Sequence, residues 1–374
     1  MALQQQVEQL QQEIDSKRQE IRSDGYSMSI GEWISLYEDG EIEIHPEFQR
    51  FFRWSSYQKT SLIESLLLGI PIPPIFVSQR EDGVWDVVDG LQRISTIYEF
   101  IGKLRGENNE LKPALTLEKT KYLPALKGKK WEDESDPENA FTQAQRLLIK
   151  RSKIAVTILQ KESDEMAKYE LFQRLNTGGS IATPQEIRNC ILVMYNREMH
   201  HWMRELSQYE MFQACLSLSD RSLEEQYDME LLLRFLVFRT IDKSELRGIG
   251  DIGVFLTDKM VEMAKQKDYN YEKESKAFKS TFDILFNKTG SNTFRKYVPQ
   301  KDRFSGGFLV SAFEVIALGV GYNYKQLQNS DVDVEKLVKH IWTDTQYPSW
   351  SGGGTDAKAR IPKLIPLGRE IFKV

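Results

Sequence analysis

Residues 84–96 constrain the fold most, because their hydrophobic spacing changes from that of a strand to that of a helix. Residues 84–88 form an apolar, β-branched run, which predicts a buried strand. Asp89 and Gly90 then supply turn chemistry. From Leu91 onward, apolar side chains recur at intervals of three and four residues, which is helical spacing. The stretch therefore predicts a strand, a tight turn and a helix in direct succession.

Three polar side chains, Asp89, Gln92 and Arg93, fall at this predicted strand-to-helix junction. The first turn of a helix presents unpaired N–H groups and the positive end of the helix dipole, so it favours anions. An acid, an amide and a cation at this place predict a site for a metal-bound phosphate. The structural alternative is that Asp89 caps the helix, Gly90 relaxes the turn and Arg93 pairs with the acid four residues before it.

Composition narrows the class of protein. With 374 residues, the chain has room for two or three domains of ~150 residues each. No apolar run reaches the ~18 residues that a membrane span needs, and the Gln- and Glu-rich start is unlike a signal peptide. Cys190 and Cys215 lie in helical patterns without zinc spacing, which favours a reducing, cytoplasmic setting. The net charge of −5 argues against a general nucleic-acid coat but leaves room for a local basic face.

Residues 1–24 carry apolar side chains at heptad-like spacing within Gln- and Glu-rich sequence. This pattern predicts an amphipathic helix that ends at Gly25. The helix either docks on the body of the protein or joins copies of the chain in a short coiled coil. A homo-oligomer formed through this helix is therefore one expectation.

The rest of the chain divides into a mixed domain, residues 25–182, and a helical domain, residues 183–374. In the first domain, strands are predicted at residues 41–44, 75–77, 84–88 and 153–159, among helices at 30–37, 56–68, 143–149 and 164–175. The second domain shows one helical pattern after another and no convincing strand, beginning with a long helix at 184–206. The predicted fold class is α+β, with a small mixed β-sheet domain followed by an all-α domain.

Two further loops of the first domain carry candidate binding residues. Residues 45–54 are dense in arginine and aromatic side chains. They would form a wall of a nucleotide pocket, because Arg50 offers phosphate a bidentate fork and Trp54 offers a stacking face. The alternative is a hydrophobic loop that packs under the domain with its arginines solvated. A second turn, at residues 176–180, contains Asn176 and Gly178.

Taken together, three motifs resemble the N-terminal domain of GmrSD-type restriction enzymes, also called domain of unknown function 262. The resemblance covers about residues 30–195. In chain order the motifs are Pro46-x-Phe48-Gln49-Arg50-x-x-x-Trp54, then Val88-Asp89-Gly90-Leu91-Gln92-Arg93-Ile94-Ser95-Thr96, then Phe172-x-x-x-Asn176-x-Gly178 with Glu186 and Arg188.

This resemblance implies a ParB/sulfiredoxin-like fold that binds and hydrolyses a nucleoside triphosphate. Mg²⁺ is the expected cofactor, because oxygen ligands suit that ion. The positions carried over are Asp89, Gln92 and Arg93 for catalysis, Asp89 for the metal, and Gln49, Arg50, Gly90, Asn176 and Gly178 for the nucleotide and its phosphates.

The chain departs from the family pattern in two places. Leu91 stands where the family's Asp-Gly-Gln-Gln-Arg run has its first Gln, and leucine forms no side-chain hydrogen bond. A position that contacts the nucleotide would lose a bond by this change, whereas a core position would not. Family members often carry a separate HNH nuclease, which needs histidines. The four histidines, His45, His200, His201 and His340, show no metal-site spacing, so an HNH nuclease is not expected here.

Three functions remain open at this point. The first is a Mg²⁺-dependent nucleoside triphosphatase in a bacterial restriction or anti-phage system. The second is a module that binds a nucleotide or DNA without turnover and recruits a separate nuclease or methyltransferase subunit. The third is a DNA nickase. DNA contact would use local basic positions, of which the candidates are Lys103, Arg105, Lys127, Lys129, Lys130, Lys150, Arg151 and Lys153.

Overall fold

The computed structural model describes Leu10 and residues 23–44, 54–106, 109–160, 183–351 and 356–374. The chain divides into two compact units, residues 1–182 and residues 183–374. The first unit contains a mixed five-stranded sheet with helices, and the second unit is largely helical. The predicted α+β class, with a sheet domain followed by a helical domain, is confirmed. Its likeness to the ParB/sulfiredoxin fold stays a prediction.

The sheet of the first unit has the strand order β1-β5-β3-β4-β2. Strand β5 is antiparallel to β1 and parallel to β3, while β4 is antiparallel to β3 and parallel to β2. The strands are β1 Ser23–Ser29, β2 Ile42–Glu43, β3 Ile75–Gln79, β4 Trp85–Asp89 and β5 Lys153–Leu159. The helices are α1 Ile30–Glu38, α2 Ser56–Leu68, α3 Leu91–Phe100 and α4 Gln143–Arg151.

Strand β1 is the main difference between the predicted and observed first unit. Ser23 and Asp24, which were expected in a helix, already belong to this strand. Gly25 lies inside the strand and pairs with Thr157 of β5. A Cβ atom at Gly25 would approach the Val156 carbonyl oxygen to 3.0 Å, so the glycine permits close strand pairing rather than ending a helix. The predicted helix before it lies outside the described residues, apart from Leu10.

Local capping explains why the predicted helix starts agree with the structure. Helices α1, α2 and α4 each begin with a capping box, formed by Ser29 with Glu32, Ser55 with Gln58, and Thr142 with Gln145. In each box a hydroxyl accepts from the backbone while the later side chain accepts from the cap residue. Helix α3 differs, because its cap position is occupied by a glycine.

The second unit consists of successive helices and one short hairpin. Its helices are α5 Pro184–Tyr195, α6 Arg197–Ser207, α7 Glu210–Leu216, α8 Asp220–Glu224, α9 Tyr227–Phe238, α10 Lys243–Leu246, α11 Ile252–Lys265, α12 Tyr271–Thr289, α13 Val310–Gln328, α14 Val334–His340, α15 Tyr347–Trp350 and α16 Ala357–Ile371. Among the described residues, no helix combines the length and the apolar character that crossing a membrane requires.

The second unit differs from the prediction at a short hairpin and within the helix expected at residues 184–206. Strands β6 Lys296–Val298 and β7 Arg303–Ser305 form an antiparallel hairpin where the sequence showed no convincing strand. The helix expected at residues 184–206 is two helices, because Asn196 ends α5 and its side chain accepts from the Met199 N–H at 2.9 Å to start α6. Asparagine often occupies such a cap position.

A buried chain of ion pairs links four helices of the second unit. Glu230 of α9 accepts from Arg188 of α5 at 2.6 Å and from Arg234 at 2.7 Å. Arg234 also donates to Glu314 of α13, which accepts from Arg360 of α16 at 2.6 Å. Burial alone would raise the pKa of Glu230, but the charges of Arg234 and Arg188 outweigh it and lower this pKa.

Removing the more deeply buried of the two acids in this chain, Glu314, should destabilise the second unit. We expect Glu314→Gln to lower the free energy of unfolding by about 3–5 kcal/mol, because it leaves buried arginine charge uncompensated. Urea denaturation of the full chain measures this change. The matched control is Glu225→Gln, which breaks a solvent-exposed pair with Arg221 and should leave the free energy of unfolding almost unchanged. Equal losses in the two variants would contradict the assigned role of Glu314.

Candidate functional site

The site begins at the turn between β4 and α3, where the observed boundaries agree with the predicted strand, turn and helix. Strand β4 ends at Asp89, and α3 begins at Leu91. Gly90 lies between them at φ +92°, in the left-handed region that glycine adopts without strain. A Cβ atom at this position would lie 2.9 Å from Ile75 Cγ1. Glycine is therefore required both by the backbone and by the neighbouring strand.

A β-bulge sets the direction of the Asp89 side chain. Phe76 pairs with Asp89 and Val77 pairs with Val87, so Val88 is an extra residue on β4. Side chains alternate between the two faces of a strand, and one inserted residue changes the face toward which the next side chain points. The bulge thus positions Asp89 at the end of β4 and leaves it partly exposed, whereas Asp86 is buried.

Arg93 fastens this turn to the loop before β3. Its Nη2 donates to Asp89 Oδ2 at 2.6 Å, and its Nη1 donates to the carbonyl oxygens of Pro73 at 2.6 Å and Pro74 at 3.0 Å. The Arg93 side chain is 12% exposed and that of Asp89 is 25% exposed. Asp89 Oδ1 accepts no hydrogen bond from any described residue. The ion pair therefore holds the carboxylate in place and leaves one oxygen for a ligand.

Asp86, three residues earlier on β4, shows how a purely structural acid is held. Both of its oxygens accept from Arg80, with Arg80 Nε lying 2.7 Å from Oδ2. Arg80 also donates to Glu43 at 2.6 Å. The hydrogen bonds to Asp86 raise the pKa of Arg80 most, and the bond to Glu43 raises it further, although partial burial acts in the opposite direction. Asp89 differs from Asp86 because one of its oxygens stays open.

Gln92 connects the turn to the start of α2. Its side-chain Oε1 accepts from the backbone N–H of Trp54 at 3.2 Å, just before the capping residue Ser55. The structure therefore brings Asp89, Gly90, Gln92 and Arg93 together at one turn. The other four predicted site residues, Gln49, Arg50, Asn176 and Gly178, lie outside the described residues and stay predictions.

The family of the first unit follows from a comparison with known proteins. Residues 30–193 match the family described as GmrSD restriction endonuclease, N-terminal domain. These residues are similar to the N-terminal domain of that family. The match confirms the resemblance seen in the three motifs, and it includes the whole turn from Asp89 to Arg93. The family description implies a role in a restriction or defence system. Comparisons with curated proteins and with solved structures found no match.

The departure from the family motif at Leu91 has a structural explanation. The Leu91 side chain is 6% exposed and belongs to the apolar core. Burying a leucine side chain here stabilises the folded state by about 2 kcal/mol. The residue therefore suits its position without any side-chain hydrogen bond. In this chain the position therefore packs into the core next to the turn.

Two other positions of the family motif, Glu186 and Arg188, have structural roles in α5. Glu186 forms a capping box with Thr183, and its Oε2 lies 2.6 Å from the Thr183 backbone nitrogen. Burial raises the pKa of Glu186, although its hydrogen bonds to Thr183 act in the opposite direction. Arg188 is fully buried and bonds to Glu230 and to Gln185. The motif thus contains residues for folding as well as candidates for ligand binding.

The carbonyl groups of Pro73 and Pro74 were missed by the sequence analysis. A proline has no backbone N–H, so consecutive prolines form a stretch that can accept hydrogen bonds but cannot donate them. The carbonyl groups of such a stretch take their donors from other segments or from water, and an arginine with several N–H groups is a suitable partner. The signal was present in the sequence, but it does not name Arg93 as the donor, since the two lie about twenty residues apart.

The turn offers a limited set of metal ligands. Within the described ranges, no group of three His, Cys, Asp or Glu side chains is placed to hold a metal ion. Mg²⁺ is often bound by one or two carboxylates together with substrate phosphates and water. Asp89, with its open Oδ1, fits the carboxylate part of such a site. Of the histidines, His201 pairs with Glu205 at 3.4 Å, and His45 lies outside the described residues.

Several of the basic positions proposed for DNA contact are already engaged. Lys103 pairs with Glu38 at 2.7 Å, and Lys130 pairs with Asp133 at 2.7 Å. Hydrogen bonding to Lys130 lowers the pKa of Asp133, which shows how closely these two charges interact. Lys127, Lys150, Arg151 and Lys153 are exposed, and so is Arg105, which donates to Asn109.

A comparison of Gly90 with Gly83 separates the backbone strain of a positive φ from the steric contact of an added Cβ. We expect Gly90→Ala to destabilise the first unit by more than Gly83→Ala, as measured by urea denaturation of the full chain. Both glycines have positive φ, at +92° and +89°, so each alanine carries strain of about 1–3 kcal/mol. At Gly83 no atom lies within 4 Å of the added Cβ, whereas at Gly90 the Cβ meets Ile75. Equal destabilisation would contradict the close contact.

Proposed function

We propose that the first unit binds a nucleoside triphosphate with Mg²⁺ at the β4–α3 turn and hydrolyses it, as part of a restriction or anti-phage defence system. The observation that carries the proposal is the turn itself. It joins a carboxylate with an open oxygen to the first turn of a ten-residue helix whose cap position is glycine. Such a helix start favours phosphate, because its N–H groups and dipole attract negative charge. The family match supports a defence role.

In this proposal each residue of the turn has a separate task. Asp89 Oδ1 would hold Mg²⁺, which when bound neutralises phosphate charge. Gln92 would orient the nucleotide or the attacking water from its place beside Trp54. Arg93 acts as a positioning residue, because it is already bonded to Asp89, Pro73 and Pro74. Phosphoryl transfer depends mainly on positioning and charge neutralisation, and the predicted Arg50 would supply further positive charge.

A second candidate is a module that binds the nucleotide without turnover. The observation in its favour is the ion pair of Asp89 with Arg93, which already engages one carboxylate oxygen. In this view, nucleotide binding would control the recruitment of a separate nuclease or methyltransferase subunit, with or without DNA contact. The two candidates share the same site and differ in whether phosphate is released.

Phosphate release tests the first candidate. We expect the purified full chain to release phosphate from a nucleoside triphosphate in the presence of Mg²⁺. Asp89→Asn should reduce this rate by about 100-fold or more, because it removes the negative charge that holds the metal. The matched control is Asp82→Asn, in the β3–β4 turn, where Asp82 only accepts from the Val84 N–H at 3.0 Å.

The outcomes separate the two candidates. A loss in Asp89→Asn with normal release in Asp82→Asn supports hydrolysis at the turn. Tight binding of a non-hydrolysable triphosphate by the wild type, without phosphate release from the natural triphosphates, would instead select the non-catalytic module. Equal release by the wild type and by Asp89→Asn would remove Asp89 from the site.

A further inference from the structure

Helix α3 carries a polar stripe that continues away from the candidate site. The stripe consists of Gln92, Ser95, Thr96 and Glu99, which follow the spacing i, i+3, i+4, i+7 and therefore share one face of the helix. The other faces of α3 are largely apolar and buried, with the following side chains in the core: Leu91, Ile94, Ile97, Tyr98 and Phe100.

Both ends of this polar stripe contact the beginning of α2. At one end, Gln92 accepts from the Trp54 N–H. At the other end, Lys59 of α2 donates to both carboxylate oxygens of Glu99, at 2.9 and 2.7 Å. The stripe therefore faces the first turns of α2. Because Lys59 and Glu99 balance each other, its far end carries no net charge from this pair.

The two residues in the middle of the stripe lack partners. Ser95 is 6% exposed and Thr96 is 1% exposed. Their hydroxyl oxygens are buried and have no hydrogen-bond partner among the residues that the structure describes. Buried hydroxyls are almost always bonded, since an unpaired one destabilises the folded state. Two adjacent exceptions on one face of a helix therefore require an explanation.

Helix α2 shows the usual arrangement for such hydroxyls. Thr60 donates to the Ser56 carbonyl at 2.8 Å, Ser61 to the Tyr57 carbonyl at 2.9 Å and Ser65 to the Ser61 carbonyl at 2.8 Å. Bonding to the carbonyl one turn earlier is the ordinary solution for serine and threonine within a helix. The hydroxyls of Ser95 and Thr96 do not make this bond, and they stay unpaired although they are buried.

We propose that Ser95 and Thr96 are specificity-determining residues that bond the sugar hydroxyls or the base edge of the nucleotide. This inference rests on the proposed nucleotide site at the β4–α3 turn. The two hydroxyls lie about 8 Å along the helix from that turn, at 1.5 Å per residue, so they would meet a part of the ligand beyond the phosphates. Hydroxyls that both donate and accept, beside a neutralised ion pair, suit uncharged polar groups better than phosphate.

Removing either hydroxyl should then have opposite effects on stability and on binding. Without nucleotide, Ser95→Ala and Thr96→Val should raise the denaturation midpoint of the full chain, because each removes an unpaired buried hydroxyl. With Mg²⁺ and a non-hydrolysable triphosphate, each should weaken binding about tenfold, which is the worth of one hydrogen bond. Calorimetry measures the dissociation constant. The matched control is Ser61→Ala on α2, which should leave binding unchanged.

Ligand variants identify the contacted group. If the contacted group is a sugar hydroxyl, the 2′- or 3′-deoxy analogue should bind the wild type more weakly than the parent nucleotide does. Thr96→Val should then weaken the binding of that analogue only a little further. If it is the base edge, the same pattern should appear when the base is changed. Either pattern supports the inference.

Three results would overturn it. Wild-type affinity in both variants would show that the hydroxyls do not contact the ligand, while the proposed site stands. Lower stability of both variants without nucleotide would show that the hydroxyls have partners in the fold. No binding of any triphosphate by the wild type would remove the proposed function and this inference together.

Discussion

The bridge that Arg93 forms between Asp89 and the carbonyls of Pro73 and Pro74 holds the candidate site together. One guanidinium joins the end of β4 to the loop before β3 through bonds of 2.6 to 3.0 Å. It fixes the carboxylate at the same time as it satisfies a loop that cannot donate hydrogen bonds of its own. A charge-assisted bond of this kind is stronger than a neutral one. The β-bulge directs the Asp89 side chain, and Arg93 then holds its carboxylate in place.

This arrangement explains how one turn can serve both folding and ligand binding. The apolar side of α3, including Leu91, stabilises the sheet domain, while its polar stripe is left incompletely bonded. The two outer residues of this stripe, Gln92 and Glu99, have partners, whereas the hydroxyls of the two inner residues, Ser95 and Thr96, do not. Unsatisfied polar groups of this kind lower stability and are common where a protein binds a ligand.

Sequence analysis predicted the features that depend on neighbouring residues. The change of period at Gly90 and the capping boxes are local signals, and the structure shows them within a residue or two of the predicted boundaries. Strand β1 was missed because its partner, β5, lies more than a hundred residues away and Gly25 resembles a helix stop. The β6–β7 hairpin was missed because strands of three residues are too short to show alternation. The acceptors of Arg93 depend on a contact between distant segments, which periodicity does not report.

The most direct test of the account is a crystal structure of the full chain with a non-hydrolysable triphosphate and Mn²⁺ in place of Mg²⁺. The anomalous signal of manganese locates the metal independently of the nucleotide. We expect the metal about 2 Å from Asp89 Oδ1, with phosphate oxygens at the first turn of α3 and the bond between Arg93 and Pro73 retained. A nucleotide and metal bound elsewhere, with the Asp89 turn unchanged and without ligand, would contradict the account.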